Sequence, residues 1–275
     1  MKCDKLSASR TKVFEQCPFL YFIKYHYKLV FDEERDYFTL GTITHSVFEH
    51  ILTNRSEVID YEKRTIKDID GIIKKVFLES DYSNNYKIKK DEEVLADEIF
   101  GKCTAIVNKY ISSKKCKLFY PVLISNGEPC IEIEFLEDIG GCVIRGFIDS
   151  VFVLDNDTIL VNDFKTSKAI PSYASLLEDI QLKIYYYVIK KRFPDKKVLV
   201  SFDFVKLCKD RYNTFQNIET IKTEILSKYN KIIGFDAKNV YRKTSWKCSR
   251  LCIGYNECYQ LWLSLIAAGI INRKK

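Results

Sequence analysis

The apolar positions change their period along the chain. Up to about Ser112 they recur at helix-like spacing, whereas from about Leu118 to Phe164 they run continuously or alternate, as strands do. Ser9 reads as the N-cap of a helix over Arg10–Tyr27, with Val13, Phe14, Cys17, Leu20, Tyr21 and Ile23 at helical spacing. Further helices are predicted over Leu40–Leu52, Ile66–Leu78 and Glu92–Ser112. Strands are predicted at Phe119–Ile124, Cys130–Leu136, Val143–Leu154 and Ile159–Phe164. A helix over Tyr173–Arg192, a strand at Val198–Val205 and a helix over Ile218–Ile233 follow. This order implies an α/β fold, a mixed sheet flanked by helices. The expected boundaries are an N-terminal helical region (1–116), a core (117–235) and a distinct tail (236–275), all within one integrated domain.

One hairpin in this pattern carries chemistry. The β-branched runs Cys142–Leu154 and Thr158–Phe164 flank Asp155-Asn156-Asp157, which suits a short hairpin loop. With Asn156 at the tip, Asp149 and Asp163 lie seven residues to either side. They then oppose one another across the ladder, with Cβ atoms roughly 5 Å apart. Lys165 shares the face of Asp163, and Phe164 points the other way. Two carboxylates so close are mutually destabilising unless one is protonated or a cation lies between them. A divalent metal is the simplest account; the alternative is a pair of solvated strand-end carboxylates.

Composition narrows the setting. At 275 residues, 47% hydrophobic and 29% charged, the chain can bury a full core. No apolar run approaches the roughly 18 residues of a membrane span, and the start MKCDKLSASR lacks a signal-peptide core, so a cytoplasmic protein is expected, or one of the host cytoplasm if viral. In a reducing compartment its ten cysteines are ligands or buried thiols rather than a disulfide framework. The net charge of +7 accommodates a polyanionic partner without requiring one. No Walker loop is found, so any unwinding falls to a partner.

The segments LSASRTKVFEQCPFLYF, GTITHSVFE, RGFID, NDFKTSK, QLKIYYY and CSRLCIGYNEC occur in this order over nearly the whole chain. In that order they resemble PD-(D/E)XK nucleases of the RecB-like group, near the CRISPR-associated and AddB-type nucleases that carry an iron–sulfur cluster. The resemblance implies a restriction-endonuclease-like fold with a helical N-terminal region and a C-terminal cysteine cluster. It implies that His45, Asp149, Asp163 and the Phe164 backbone carbonyl ligate a catalytic Mn²⁺ or Mg²⁺; Glu134 is a weaker candidate for the same shell. An imidazole ligand favours Mn²⁺. Lys165 would position or deprotonate the attacking water and stabilise charge on the phosphate. Gln181 and Tyr185, four residues apart on the following helix, would orient Lys165 or a phosphate. Glu49 shares a helical face with His45, whereas His26 and His50 read as ordinary.

By the same resemblance, Cys17, Cys248, Cys252 and Cys258 hold a 4Fe-4S cluster, with Zn²⁺ the alternative for four thiolates. Here Cys248 and Cys252 are separated by three residues where the group usually has two, and Cys3 is a rival ligand. Cys103, Cys116, Cys130, Cys142 and Cys208 read as core. The implied activity is a metal-dependent DNA nuclease, an exonuclease acting on ends or single strands in recombination, repair, or phage- or CRISPR-related processing. A helicase or recombination or CRISPR protein would be its partner. The alternatives are a structure-specific or single-strand endonuclease and a non-catalytic iron–sulfur or zinc DNA-binding subunit. Arg10, Lys12, Lys24, Lys28, Lys168, Lys183, Lys190, Lys191 and Arg192 are candidates for a backbone-tracking groove.

Overall fold

The computed structural model describes residues 5–29, 36–79, 92–243, 248, 252 and 255–272. Two compact units form: a larger one of Glu34–Glu134 and Phe147–Gln216, and a smaller one of Met1–Glu33, Phe135–Gly146 and Asn217–Lys275.

In the larger unit, helices α1 (Asp36–Thr53), α2 (Ile69–Glu79) and α3 (Glu92–Ile111) precede the main sheet, and α4 (Ile180–Arg192) lies between its third and fourth strands. The strands of the main sheet are β1 (Ile131–Ile139), β2 (Cys142–Val153), β3 (Thr158–Lys165), β4 (Lys197–Phe204) and β5 (Lys209–Asn213), hydrogen-bonded in that order; the stretch Phe135–Gly146 of β1, its turn and β2 is counted with the smaller unit. β2–β3 and β4–β5 pair antiparallel, and β3–β4 pair parallel. This is the mixed sheet with helices that the apolar pattern predicts, of restriction-endonuclease-like type.

β3 is central, and Ile159 to Phe164 are all buried, so its polar residues need partners inside the protein. Ser201 Oγ, from β4, donates to Asn162 Oδ1 at 2.7 Å. Helix α4 starts where Asp179 accepts the N–H groups of Gln181 and Leu182, and it ends on Lys190, Lys191 and Arg192, which suit a helix C-terminus. Leu182 to Ile189 are buried around the whole circumference, so the tyrosine run is core. Leu40, Ile43, Val47, Phe48 and Ile51 of α1 share one apolar cluster with Tyr110, Phe152, Leu160 and Phe164.

A second polar group lies in this unit. Lys117 is fully buried, with Nζ 2.9 Å from Asp203 Oδ2 and 3.2 Å from Asp210 Oδ2. The hydroxyls of Tyr110 and Tyr212 donate to Asp203 and Asp210, and Tyr110 also accepts the Lys117 N–H at 3.0 Å. Lys115 adds a partner for Asp210 at 3.8 Å. Burial raises the pKa of Asp203 and the Lys117 charge opposes that rise. Burial works to raise the pKa of Asp210, but the Tyr212 bond and the Lys117 charge together outweigh it, and the pKa is lowered.

In the smaller unit the helix Ala8–Gln16 is followed by Pro18–Tyr21, a π-turn at Phe22–His26, and helices Ile218–Ile233 and Tyr255–Ala267. Its core is Phe19, Leu20, Phe22, Ile23, Val240, Leu265 and Ile271, with the Phe19 and Trp262 rings edge to face at 5.0 Å.

Several sequence expectations are corrected. The first helix is capped by Ser7, not Ser9, and stops at Cys17, because Pro18 disfavours helical backbone at the residue before it. The stretch expected as strand Phe119–Ile124 is a 3₁₀ turn (Lys117–Phe119) and a short hairpin strand, Ile124–Ser125. The helix expected over Tyr173–Arg192 divides into Tyr173–Leu177 and α4, since Asp179 is a better cap than interior residue. β5 and the tail helix Tyr255–Ala267 had no expectation. Lys183 is 3% exposed and paired with Glu178, and Lys190 Nζ closes the turn after α4 on the carbonyls of Pro194 and Lys196, so neither is free to track a backbone.

Candidate active site

The β2–β3 ladder runs from Val153–Ile159 to Ser150–Asn162, the register that a tip at Asn156 dictates. Its next step sets Asp149 against Asp163. Asp149 Oδ2 accepts the Phe164 N–H at 2.8 Å and lies 3.3 Å from His45 Nδ1. His45 comes from α1, held by the burial of Ile43, Val47 and Phe48, and it also hydrogen-bonds the backbone of Phe164. The Phe164 ring turns away into Phe48 and Tyr110, at centroid distances of 4.8 and 6.3 Å.

Lys165 forms an ion pair with Asp163, and its Nζ lies 4.8 Å from the centroid of the Phe202 ring. Gln181 joins the two charges: Nε2 donates to Asp163 Oδ1 at 2.6 Å, and Oε1 accepts from Lys165 Nζ at 3.5 Å. Tyr185 fixes that orientation, its hydroxyl accepting from the same Nε2 at 2.9 Å. The structure therefore brings together His45, Asp149, Asp163, Phe164, Lys165, Gln181 and Tyr185.

It also adds Glu132, which the sequence reading missed, and leaves Glu134 aside. Gly140 and Gly141 both have positive φ (61° and 86°), the two-residue turn that suits hairpin twist. Counting back from that turn sets Glu132 opposite Asp149, and the Val151 N–H bond to Cys130 O at 2.9 Å agrees. Glu132 holds a positive φ of 44°, which turns it out of regular strand geometry. Glu134 is exposed. The signal that could have found Glu132 was the Gly-Gly turn: 132 and 134 share a parity, and only the register separates them.

The electrostatics of the group are unbalanced. Burial, then the charge of Asp163, pushes Asp149 well above the usual carboxylate range; Glu132 pushes the same way, and Lys165 and the Phe164 N–H oppose. Glu132 is pushed up to about 7 by burial and by the charges of Glu49 and Asp163. Burial lowers the pKa of His45 and favours neutral imidazole. For Lys165, burial works against the ammonium, but Asp163, Asp149 and Asp179 outweigh it and its pKa rises. Among the described residues, Glu132, Asp149 and Asp163 face the ammonium of Lys165, and Glu49 and Asp179 add further negative charge.

That donor set fits a hard divalent cation: acid oxygens that repel one another, a neutral imidazole and an adjacent backbone carbonyl. Among the described residues, no three His, Cys, Asp or Glu side chains already converge as ligands. Lys165 is paired with Asp163, and His45 lies against Asp149.

The cysteines gather in the smaller unit. Cys17, Cys252 and Cys258 pack against its core. Arg242 Nε donates to Cys258 Sγ at 3.1 Å and the Lys243 N–H to Cys17 Sγ at 3.5 Å, while Cys248 Sγ lies 3.3 Å from the Lys243 carbonyl. Burial raises the Cys258 pKa; Arg242 opposes, and the charges of Cys17 and Cys248 add to the rise. Cys103, Cys116, Cys130 and Cys142 are buried, and Cys208 is half-buried. Cys3 lies outside the described residues.

A five-stranded mixed sheet with acids and a lysine beside its parallel pair defines a restriction-endonuclease-like nuclease core. The chain belongs to the PD-(D/E)XK nuclease superfamily, whose family model matches residues 5–252. Members typically use Mg²⁺ or Mn²⁺. No curated protein sequence matches. Among solved structures, the Eubacterium rectale "Putative exonuclease" is similar at 13% identity and a TM-score of 0.48, over 92% of this chain and 87% of that one. The protein SSO0001 is similar at 19% identity and a TM-score of 0.32, over 79% of this chain and 96% of that one. Among the described residues, no helix is long and apolar enough to cross a membrane.

Proposed function

We propose that this protein is a divalent-cation-dependent deoxyribonuclease, an exonuclease of the RecB-like kind that hydrolyses phosphodiester bonds at DNA ends or in single strands during recombination, repair, or phage- or CRISPR-related processing. The observation that carries the reading is the unbalanced row of Glu132, Asp149 and Asp163 beside Lys165. Asp149, Asp163, the Phe164 carbonyl and His45 would hold the cation, with Glu132 beside them. When bound, Mg²⁺ or Mn²⁺ supplies a Lewis acid for a phosphoryl oxygen and lowers the pKa of water.

The chain's own residues do the rest. Lys165 presents a protonated amine where negative charge grows on the phosphate. Gln181 keeps that amine and Asp163 at fixed spacing, and Tyr185 prevents the amide from turning over. Neutral His45 can donate a nitrogen lone pair, as a ligand must.

We further propose that Cys17, Cys248, Cys252 and Cys258 hold a 4Fe-4S cluster, or Zn²⁺, that serves folding rather than hydrolysis. The closeness of Cys17 and Cys248 to Cys258, whose pKa their charges raise, and the N–H donors facing two of the sulfurs support it. Cys252→Ala is expected to lose colour and solubility; a soluble, fully active, colourless variant would refute the cluster.

The test of the enzyme is purification without oxygen and incubation with end-labelled single- and double-stranded DNA in Mn²⁺, Mg²⁺ or EDTA, beside Asp163→Ala and Lys165→Ala. Cleavage that needs the metal and disappears in both variants supports the reading. DNA binding without cleavage contradicts it and favours a non-catalytic subunit.

A further inference from the structure

β3 and β4 run parallel, so their carboxyl ends open on the same edge of the sheet, where Lys165 pairs with Phe204. That edge is where open α/β sheets generally hold ligands. The chain beyond each strand carries a lysine: Lys168 comes three residues after Lys165, and Lys206 two after Phe204. A third reaches the same place from α3. That helix is fixed there by Lys109 Nζ, which donates to the Lys206 carbonyl at 2.9 Å. Buried Cys103, also on α3, places its Sγ 3.8 Å from Thr44 Oγ1, next to His45. Lys102 adjoins Cys103 and is exposed.

Lys206 feels this company. Burial lowers its pKa first, and the charges of Lys168 and Lys102 lower it further. Glu98 pairs with Lys102 at 2.6 Å, but among the described residues neither Lys168 nor Lys206 has an acidic partner. Three neighbouring cations, of which only Lys102 is paired with an acid among the described residues, are suited to binding a polyanion.

We propose that Lys102, Lys168 and Lys206 form a cradle for the phosphodiester backbone of the nucleic acid, at the carboxyl edge of β3 and β4 beside the Lys165 centre. The cradle rests on the nuclease reading and deepens it by naming where the strand flanking the scissile phosphate is held. Lysines contact phosphates as point charges, so the cradle tracks the backbone without reading base sequence.

Its signature is the dependence of affinity on salt. Each phosphate neutralised on a single strand contributes about 0.7 to the slope of log K against log salt. The experiment measures fluorescence anisotropy of a labelled single-stranded oligodeoxynucleotide and its duplex across a salt series in EDTA. The proteins are full-length wild type, the triple variant K102Q/K168Q/K206Q and a charge-matched triple variant, K63Q/K74Q/K75Q. The cradle variant is expected to lower the single-strand slope by about 2 and to weaken binding at least about tenfold at moderate salt, whereas the matched variant leaves both unchanged. If the triple variant does not fold, Lys168→Gln alone, in an exposed loop, lowers the slope by about 0.7. Equal slopes for the cradle and matched variants overturn the cradle and leave the nuclease standing. A slope lost in the cradle variant, with a wild type that cleaves nothing in Mg²⁺ or Mn²⁺, sinks the nuclease and keeps the cradle. A wild type that binds neither oligonucleotide overturns both.

Discussion

The larger unit contains two clusters of carboxylates and lysine on neighbouring strands, and they are balanced in opposite ways. Around Lys117, two aspartates meet a buried ammonium, two tyrosine hydroxyls and a second lysine. Around Lys165, Glu132, Asp149 and Asp163 meet one ammonium, and the first two are pushed toward their neutral forms. Burial alone does not separate a structural cluster from a working one, because Asp203 and Asp163 are both buried. Charge balance does: the aspartates of the first group meet Lys117 and Lys115, whereas the acids of the second outnumber their ammonium, the imbalance on which the proposed cation site rests.

The largest expected contrast comes from removing one charge from each cluster. Lys117→Met leaves two buried carboxylates without their cation and is expected to cost about 3–5 kcal/mol. Asp149→Asn should leave metal-free stability unchanged or higher, because its charged form is already disfavoured in the fold. It should lower cleavage at least about 10²–10³-fold, the scale of losing one group that stabilises a transition state. Denaturant unfolding in EDTA together with single-turnover cleavage checks both; if Asp149→Asn is the less stable of the two, the comparison fails.

A smaller effect separates two glutamates of the same strand. Glu132→Gln is expected to weaken Mn²⁺ activation about 10- to 100-fold, and Glu134→Gln to change stability by no more than about 0.5 kcal/mol with activation intact. Titrating cleavage against Mn²⁺ reads both, and the reverse order would return Glu134 to the site.

The smallest effect is a slope with pH. Glu132 ionises near 4.5 in an ordinary setting and at about 7 in the fold. Between those values the folded chain holds a proton that the unfolded chain releases, so metal-free stability falls as pH rises through this window. Neutral His45 acts oppositely, because the unfolded imidazole takes up a proton as pH falls below about 6.5. The difference between wild type and Glu132→Gln isolates the glutamate: in EDTA the variant should gain on wild type as pH rises. Parallel stability curves would show that Glu132 is not buried among acids.

Much of this was legible in the sequence, where local chemistry sets the register. Asp155-Asn156-Asp157 between β-branched runs fixed the hairpin, and with it the relation of Asp149, Asp163 and Lys165. Helix Ile218–Ile233 was expected at its observed bounds, because Asn217 caps it and its apolar residues keep helical period. What depends on contacts far apart in the chain was not legible. Glu132 is singled out by register and by a positive φ that no alternation pattern announces. Lys117 reads as a surface lysine until Asp203 and Asp210, over 80 residues away, are placed beside it. Of Lys102, Lys168 and Lys206, only Lys168 was named from the sequence as a backbone contact; Lys102, on α3, and Lys206, after β4, come from segments far from it in the chain.

The most direct test of the account is the effect of Mg²⁺ and Mn²⁺ on the thermal unfolding of the wild-type protein, against EDTA, at mildly acidic and mildly alkaline pH. An incomplete cluster of acids predicts a rise in Tm with either ion that is larger at the alkaline pH and absent in Asp149→Asn. A Tm indifferent to the ions, or raised equally in Asp149→Asn, would contradict it.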